Sequence, residues 1–259
     1  MPRSNWRFLL SPPATGAENM ALDEALMAHA RSTGGWTLRV YEWSAPTISF
    51  GRNQTARGRY DLERIGSKGL AVVRRPTGGR AILHNREITY SVTAPVESAG
   101  DLRESYDRIN GIVLEGLRSL GVHASLAEGK TRAPSLGMAP CFNEPSAGEL
   151  ILGGRKLAGS AQWRADGALL QHGSILIEDD QSVLAELVTV PQPQIPKPAT
   201  LVDALGIRPA MADVADAFAM AVRTLEDPSV TELKIEGELR AHADRLVVRY
   251  LDDDWTWRR

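Results

Sequence analysis

The chain predicts an α+β fold, a mixed β-sheet flanked by helices. Two observations carry this. Strand-like segments crowd the middle of the sequence and meet through hairpin turns at Gly153-Gly154 and Asp166-Gly167. Helical segments are interspersed among them without the strict alternation of a doubly wound sheet. The length, 259 residues at 43% hydrophobic and 24% charged, suffices for one well-buried core. A single domain over 1–259 is therefore expected, with a small helical and strand appendage from about residue 200, after the Pro-rich stretch 190–200.

The elements follow in order. Residues 17–32 read as a helix, with Met20, Leu26 and Met27 at roughly helical spacing and Gly34-Gly35 as the stop. Residues 36–43, "WTLRVYEW", alternate like a strand. Pro46 breaks the chain before a short strand at 47–51. Residues 69–76 form a strand running into a turn, and 80–95 two strand pieces around a polar kink at His84-Asn85. The strongest helix is 101–121. Leu102, Tyr106, Ile109, Val113, Leu117 and Leu120 share one face, Asp101 with Glu104 forms a capping box, and Gly121 ends it. An irregular segment, 124–146, carries Cys141. Then come strand, Gly-Gly turn and strand at 148–164, and a further strand at 168–178. Residues 211–226 are helical. The tail "RLVVRYLDDDWTWRR" reads as a last strand.

One cysteine excludes an internal disulfide framework. No apolar run approaches the ~20 residues of a membrane span. The N-terminus, with early prolines and a very short apolar run, is a poor secretion signal, so a cytoplasmic location is expected. The net charge of −2 gives no general affinity for nucleic acid. Residues 51–86 nevertheless hold nine basic side chains against Asp61 and Glu63, a local net of +7. This stretch is either a solvated basic face or a docking surface for an acidic partner.

Three segments have the residues for chemistry. Cys141 sits among Pro140, Pro145 and Ser146, and Lys156 follows across a strand and a turn. Lone cysteines often serve as small buried hydrophobes, and hairpin lysines as surface charge. A cation near a thiol has another use. The free thiol pKa of ~8.5 leaves little thiolate at neutral pH, and a positive neighbour favours that nucleophilic form. Thiolates attack acyl carbonyls to give thioesters, which amines then cleave. Gly154, Gly159, Ser160 and Ala161 leave room beside Lys156 for a ligand or a close backbone. The second segment is "RRPTGGRAILH" (74–84). There Thr77-Gly78-Gly79, between Arg75 and Arg80, offers backbone N–H groups to an anion, but it matches neither a P-loop nor a Rossmann fingerprint. The third is "QHGSI" (171–175) with His172. The histidines and Cys141 lack paired-ligand spacing, so no metal is expected.

Taken together, "ENMALDEAL" (18–26), "WSAPTISFGRNQ" (43–54), "VVRRPTGGRAILHNREITYSV" (72–92), "GRKLAGSAQ" (154–162) and "LLQHGSILI" (169–177) resemble the lipoate–protein ligase A / octanoyltransferase family. The resemblance runs over about residues 6–190. It implies the mixed-sheet catalytic domain shared with biotin protein ligases, and acylation of a lysine on a lipoyl carrier domain. A cysteine upstream of the "GRK" lysine is similar to the cysteine-dependent octanoyltransferases that modify the glycine-cleavage H protein. In another octanoyltransferase type the cysteine lies downstream. The resemblance then implies Cys141 as the acyl-thioester nucleophile and Lys156 as its cationic partner. Arg75, Thr77, Gly78, Gly79, His84, Gly159, Ser160, Ala161 and His172 would form the acyl site. Octanoyl-acyl carrier protein would be the donor and a lipoyl domain such as the H protein the acceptor, with no cofactor, no nucleic acid and no membrane. Two relatives with other chemistry remain open: an ATP- and Mg-dependent lipoate ligase, and an amidotransferase taking octanoyl from the H protein. Arg80 and Asn85 replace a glycine and an aspartate of the ligase pattern, which speaks against ATP-driven activation. A non-catalytic acyl-protein binding module with the same fold predicts tolerance of Cys141→Ser.

Overall fold

The strands that alternate in sequence are buried on both faces, and this decides where a site can form. The computed structural model describes residues 5–128, 148–190 and 196–259; Cys141 lies outside them. The first half contains β1 (Trp6–Leu10), α1 (Gly16–Thr33), β2 (Trp36–Tyr41), β3 (Thr47–Phe50), α2 (Leu62–Ser67), β4 (Ala71–Arg74), β5 (Ile82–His84), β6 (Glu87–Pro95), α3 (Val96–Ala99) and α4 (Leu102–Ser119). The second contains β7 (Ser125–Leu126), β8 (Leu150–Leu152), β9 (Arg155–Ala165), β10 (Ala168–Leu176), α5 (Val183–Glu186), α6 (Leu201–Leu205), α7 (Met211–Leu225), β11 (Thr231–Glu232), α8 (Gly237–Leu251) and α9 (Asp253–Thr256).

Eight strands form one sheet in the order β11-β1-β2-β6-β10-β9-β8-β7, and β4-β3-β5 form a small second sheet. The large sheet is mixed. β1 pairs in parallel with β2 and β11, while the pairings from β2 through β6, β10, β9 and β8 to β7 are antiparallel. The Gly153-Gly154 and Asp166-Gly167 turns fall where the sequence placed them, joining β8 to β9 and β9 to β10.

Side chains alternate across a strand. On β2 and β6, Trp36, Leu38, Val40, Ile88, Tyr90 and Val92 enter the main apolar core, with Ile109, Val113 and Leu117 of α4 and Phe218 and Val222 of α7. The opposite face carries Thr37, Arg39, Tyr41, Glu87, Thr89 and Ser91, all buried. It lies under α1 and the second sheet, which has its own core of Ile48, Phe50, Ile65 and Leu83. Polar residues covered on that scale must satisfy one another, and that is the starting condition for the site.

The α4 capping box is present: Asp101 accepts from the Glu104 N–H and Glu104 accepts from the Asp101 N–H. A second box, Thr15 with Glu18, starts α1. The tail corrects the sequence expectation. Residues 237–251 form helix α8 and 253–256 helix α9, with no final strand. The valines suggested a strand, yet Leu239, Ala243, Leu246, Val247 and Tyr250 recur at helical spacing. They pack on Met20, Ala21, Leu22, Ala25 and Leu26 of α1. Burial of that stripe outweighs the modest helix penalty of β-branched residues.

Helices α4 and α7 meet at Gly116, where an added Cβ would lie 2.3 Å from a ring carbon of buried Phe218. Gly116→Ala should therefore cost about 1–3 kcal/mol despite the better helix propensity of alanine, read as a lower midpoint in urea unfolding.

Candidate active site

Asp23 is the charged residue that the buried polar face is built around. It sits on α1, three residues from Met20 and therefore on the apolar stripe, and is fully buried. Arg39 of β2 donates to it at 2.8 Å, Tyr41 of β2 at 3.0 Å and Ser91 of β6 at 2.8 Å; His172 Nδ1 of β10 lies 3.2 Å away. Burial alone would raise the carboxyl pKa. The Arg39 charge and the bonds from His172 and Ser91 outweigh it and hold Asp23 below its ordinary value. Burial, with the Asp23 charge adding to it, pushes the Tyr41 hydroxyl well above its ordinary range.

His172 passes the arrangement on. A carboxylate only accepts, so Nδ1 carries the proton toward Asp23, and in the neutral ring Nε2 accepts from the Thr77 hydroxyl at 2.6 Å. A second chain of the same kind runs beside it. Glu87 faces His84 Nδ1 at 3.2 Å, and His84 Nε2 meets the Ser49 hydroxyl at 2.8 Å. Glu87 also accepts from Thr89 and from Ser174 at 2.6 Å. Burial lowers the His84 pKa, against the pull of Glu87. Trp43 stacks on the His84 ring at 3.9 Å and donates from its indole to Thr89. Two carboxylate–imidazole–hydroxyl chains thus hold both rings at both nitrogens, and no cluster of three metal-ligating side chains occurs among the described residues.

Between these chains lies a narrow, largely apolar cavity. Of the residues proposed from sequence, Arg75, Gly79, His84, Gly159, Ser160, Ala161 and His172 line it. Thr77 is one bond behind His172. Gly78 reaches the wall through its carbonyl, which accepts from Arg75 at 2.8 Å. Trp43, Gly79, Ser160 and Ala161 are the partly exposed lining residues, and the last three, on the Gly-rich turn and β9, form the side called the mouth. Met20, Tyr41, Ser49 and Thr89 are fully covered.

The Gly-rich turn is held from within. Arg75 donates to the carbonyls of Ser49, Gly78 and Arg80. Gly79 has φ 95°, and a Cβ on Gly51 would fall 2.0 Å from the Gly79 oxygen. Only glycine at 51 lets the two backbones approach so closely. This corrects part of the basic-face expectation: Arg74, Arg75 and Arg80 of the 51–86 stretch are buried.

Lys156 does not line the cavity. It is buried on β9, and its Nζ donates to Glu149 at 2.7 Å. Glu149 follows the segment that carries Cys141. Behind the mouth, a chain of polar side chains runs from Ser160 through Tyr90 and Gln171 to Asn110, which donates to the Gly148 carbonyl. Sequence reading named neither Glu149 nor Asp23, Glu87 or Trp43. Asp23 and Trp43 lay within quoted motifs. Their signal was position: a carboxylate on an apolar helix stripe, and charged or hydroxyl residues at every second place of a strand.

Asp23→Asn should cost about 3–5 kcal/mol at neutral pH, because Arg39 is left buried without its counter-charge. The native carboxyl is depressed, so its stabilisation is complete above the unfolded carboxyl value and is lost as pH falls through the lower folded value. Urea unfolding across acidic pH should show wild type converging on the variant at the acid end. Parallel curves would remove Asp23 as the source.

The Lipoyl protein ligase A/B catalytic domain profile matches residues 15–223. A curated relative, Octanoyltransferase LipM of Kyrpidia tusciae, is 38% identical over 275 residues, covering 98% of this chain and 99% of that protein. Octanoyltransferase LipM of Symbiobacterium thermophilum is 40% identical, covering 99% of each. Among solved structures, lipoate-protein ligase A bound with ATP superposes with a TM-score of 0.78 at 22% identity, over 98% of both chains. A bi-partite lipoate protein ligase from Thermoplasma acidophilum gives 0.79 at 21%, over 98% of this chain and 96% of that one. At such identities the structures establish a shared fold, in agreement with the α+β mixed sheet expected from sequence. The profile spans most of the chain and the curated relatives match end to end: this protein belongs to the lipoyl protein ligase A/B catalytic-domain family.

Proposed function

We propose that the protein is an octanoyltransferase of protein lipoylation, working through a Cys141 thioester. One observation carries the reading: a narrow apolar cavity with a polar mouth, in a chain that matches proteins named Octanoyltransferase LipM over its whole length. An unbranched acyl chain suits such a cavity, since its affinity comes from apolar area removed from water.

In the first half-reaction the Cys141 thiolate attacks the carbonyl of octanoyl-acyl carrier protein. The carrier's thiol leaves and octanoyl stays on Cys141. In the second, the ε-amine of a lysine on a lipoyl domain, such as that of the glycine-cleavage H protein, attacks the new thioester. Cys141 departs as thiolate and the amine loses a proton. A thioester becomes an amide, so no ATP, Mg or other cofactor is required. The Lys156 ammonium favours the thiolate and stabilises the carbonyl oxygen as charge develops there. Glu149 holds that ammonium in place. Thr77, Gly78 and Gly79 shape the mouth; Arg75 braces it. His84, Gly159, Ser160, Ala161 and His172 wall the chain.

Purified protein mixed with octanoyl-acyl carrier protein, without ATP, should gain one octanoyl group by intact mass. Hydroxylamine should remove it, Cys141→Ala should abolish it, and an added lipoyl domain should clear it. Lys156→Met should slow acylation about 10²–10³-fold, the range for losing one oxyanion donor. An adduct only from octanoylated H protein would make this the amidotransferase. ATP-driven labelling that survives Cys141→Ala would make it a ligase.

A further inference from the structure

Outside the cavity, the most unusual feature of the charge distribution is a group of arginines that no side-chain carboxylate pairs with among the described residues. The 255–259 segment folds back over the β3–α2 connection: Ala56 and Arg57 donate their N–H groups to a main-chain oxygen of Arg259, and Arg258 donates to the Arg52 carbonyl at 2.6 Å. This brings Arg258 and Arg259 to Arg52 and Arg74. None of these four makes an ion pair among the described residues.

Arg74 lies beneath the others and is fully buried. Its side-chain partners are backbone carbonyls, those of Gly51, Arg52, Gln54 and Thr256, and its Nη2 has none. Burial and the charges of Arg258, Arg259 and Arg75 lower its pKa to about 10, still cationic at neutral pH. Asp252 and Asp254 sit at the far end of α9, where Asp252 caps the helix through the Asp254 N–H. A buried cation without a counter-ion costs stability, and exposed like charges around it add repulsion. An arrangement of that kind is relieved by an anion from outside.

Two rings set the guanidinium positions. Arg258 lies 3.9 Å above Trp255, and Arg52 lies 4.7 Å above Trp163 of β9. Both remain at least partly exposed. The cluster also adjoins the cavity mouth. The Arg52 N–H donates to the Thr77 carbonyl at 2.7 Å, and Gly51 abuts Gly79. The cluster therefore lies beside the turn that lines the cavity.

We propose that Arg52, Arg258 and Arg259, over buried Arg74, form a binding site for the phosphate ester of a pantetheine-type acyl donor. The acyl group of such a donor is carried on a thiol at one end of the arm and the phosphate stands at the other. This deepens the octanoyltransferase reading and rests on it for the choice of donor. Planar guanidinium groups suit phosphate oxygens, and charge-assisted bonds are the strong ones.

The test is calorimetric and needs no turnover. The full chain is titrated with 4′-phosphopantetheine and with pantetheine, which lacks the phosphate. The phosphorylated form should bind at least about tenfold more tightly, the scale of one hydrogen bond to a charged group. In Arg52→Gln/Arg258→Gln the two affinities should become nearly equal, while Arg258→Lys should retain part of the difference. Should the double variant unfold, the single Arg258→Gln variant gives the same comparison. Equal binding of both compounds to wild type overturns the site, as does a preference that survives the double variant. Competition with ATP is the third arm. ATP displacing phosphopantetheine at lower concentration would assign the arginines to a nucleotide and overturn the donor proposal. Failure of octanoylation at Cys141 leaves these affinities readable, so the two ideas fail separately.

Discussion

A buried carboxylate on an apolar helix stripe organises the polar half of this fold. Asp23 draws hydrogen bonds from β2, β6 and β10 at once, so the helix cannot shift on the sheet without stranding several donors. Its burial is costly alone and favourable only with Arg39 and the hydroxyls in place. That condition fixes His172, and through it Thr77 and the Gly-rich turn. The mouth of the cavity inherits its geometry from an ion pair two layers away.

The two carboxylate–imidazole–hydroxyl chains show how a sheet can be covered on both faces and still carry polar groups. One face is filled by apolar contacts with α4 and α7. The other exchanges hydration for a network of hydrogen bonds, with Asp23 and Glu87 as the accepting ends. Rings held at both nitrogens have little rotational freedom, so an apolar ligand entering between them meets walls already ordered.

Much of this was legible in the chain. The hairpin turns, the α4 capping box and helices α1, α4 and α7 follow from local chemistry that operates over three or four residues. Seven of the candidate site residues lie in the cavity wall. What escaped has a physical cause. Asp23 differs from a solvated helix aspartate only by its place on the apolar stripe, and its role emerges once α1 packs on the large sheet. Arg74, Arg75 and Arg80 look like a basic face because their partners are backbone carbonyls, which leave no trace in composition. The tail looked like a strand because its valines favour one, and the stripe that makes it helical has meaning only against α1. Lys156 and Glu149 are seven positions apart, joined by a hairpin whose register sequence alone does not supply.

The contact between Gly51 and Gly79 has a consequence for how such a chain can change over generations. The two loops meet backbone to backbone, with less room than one methyl group needs. Mutational paths through position 51 are thus closed unless the turn at 78–79 moves first, and that turn carries the bonds that hold Arg75. Innovation in donor or chain preference is free to enter through the lining side chains, whereas the loop crossing behind them behaves as a single inherited unit.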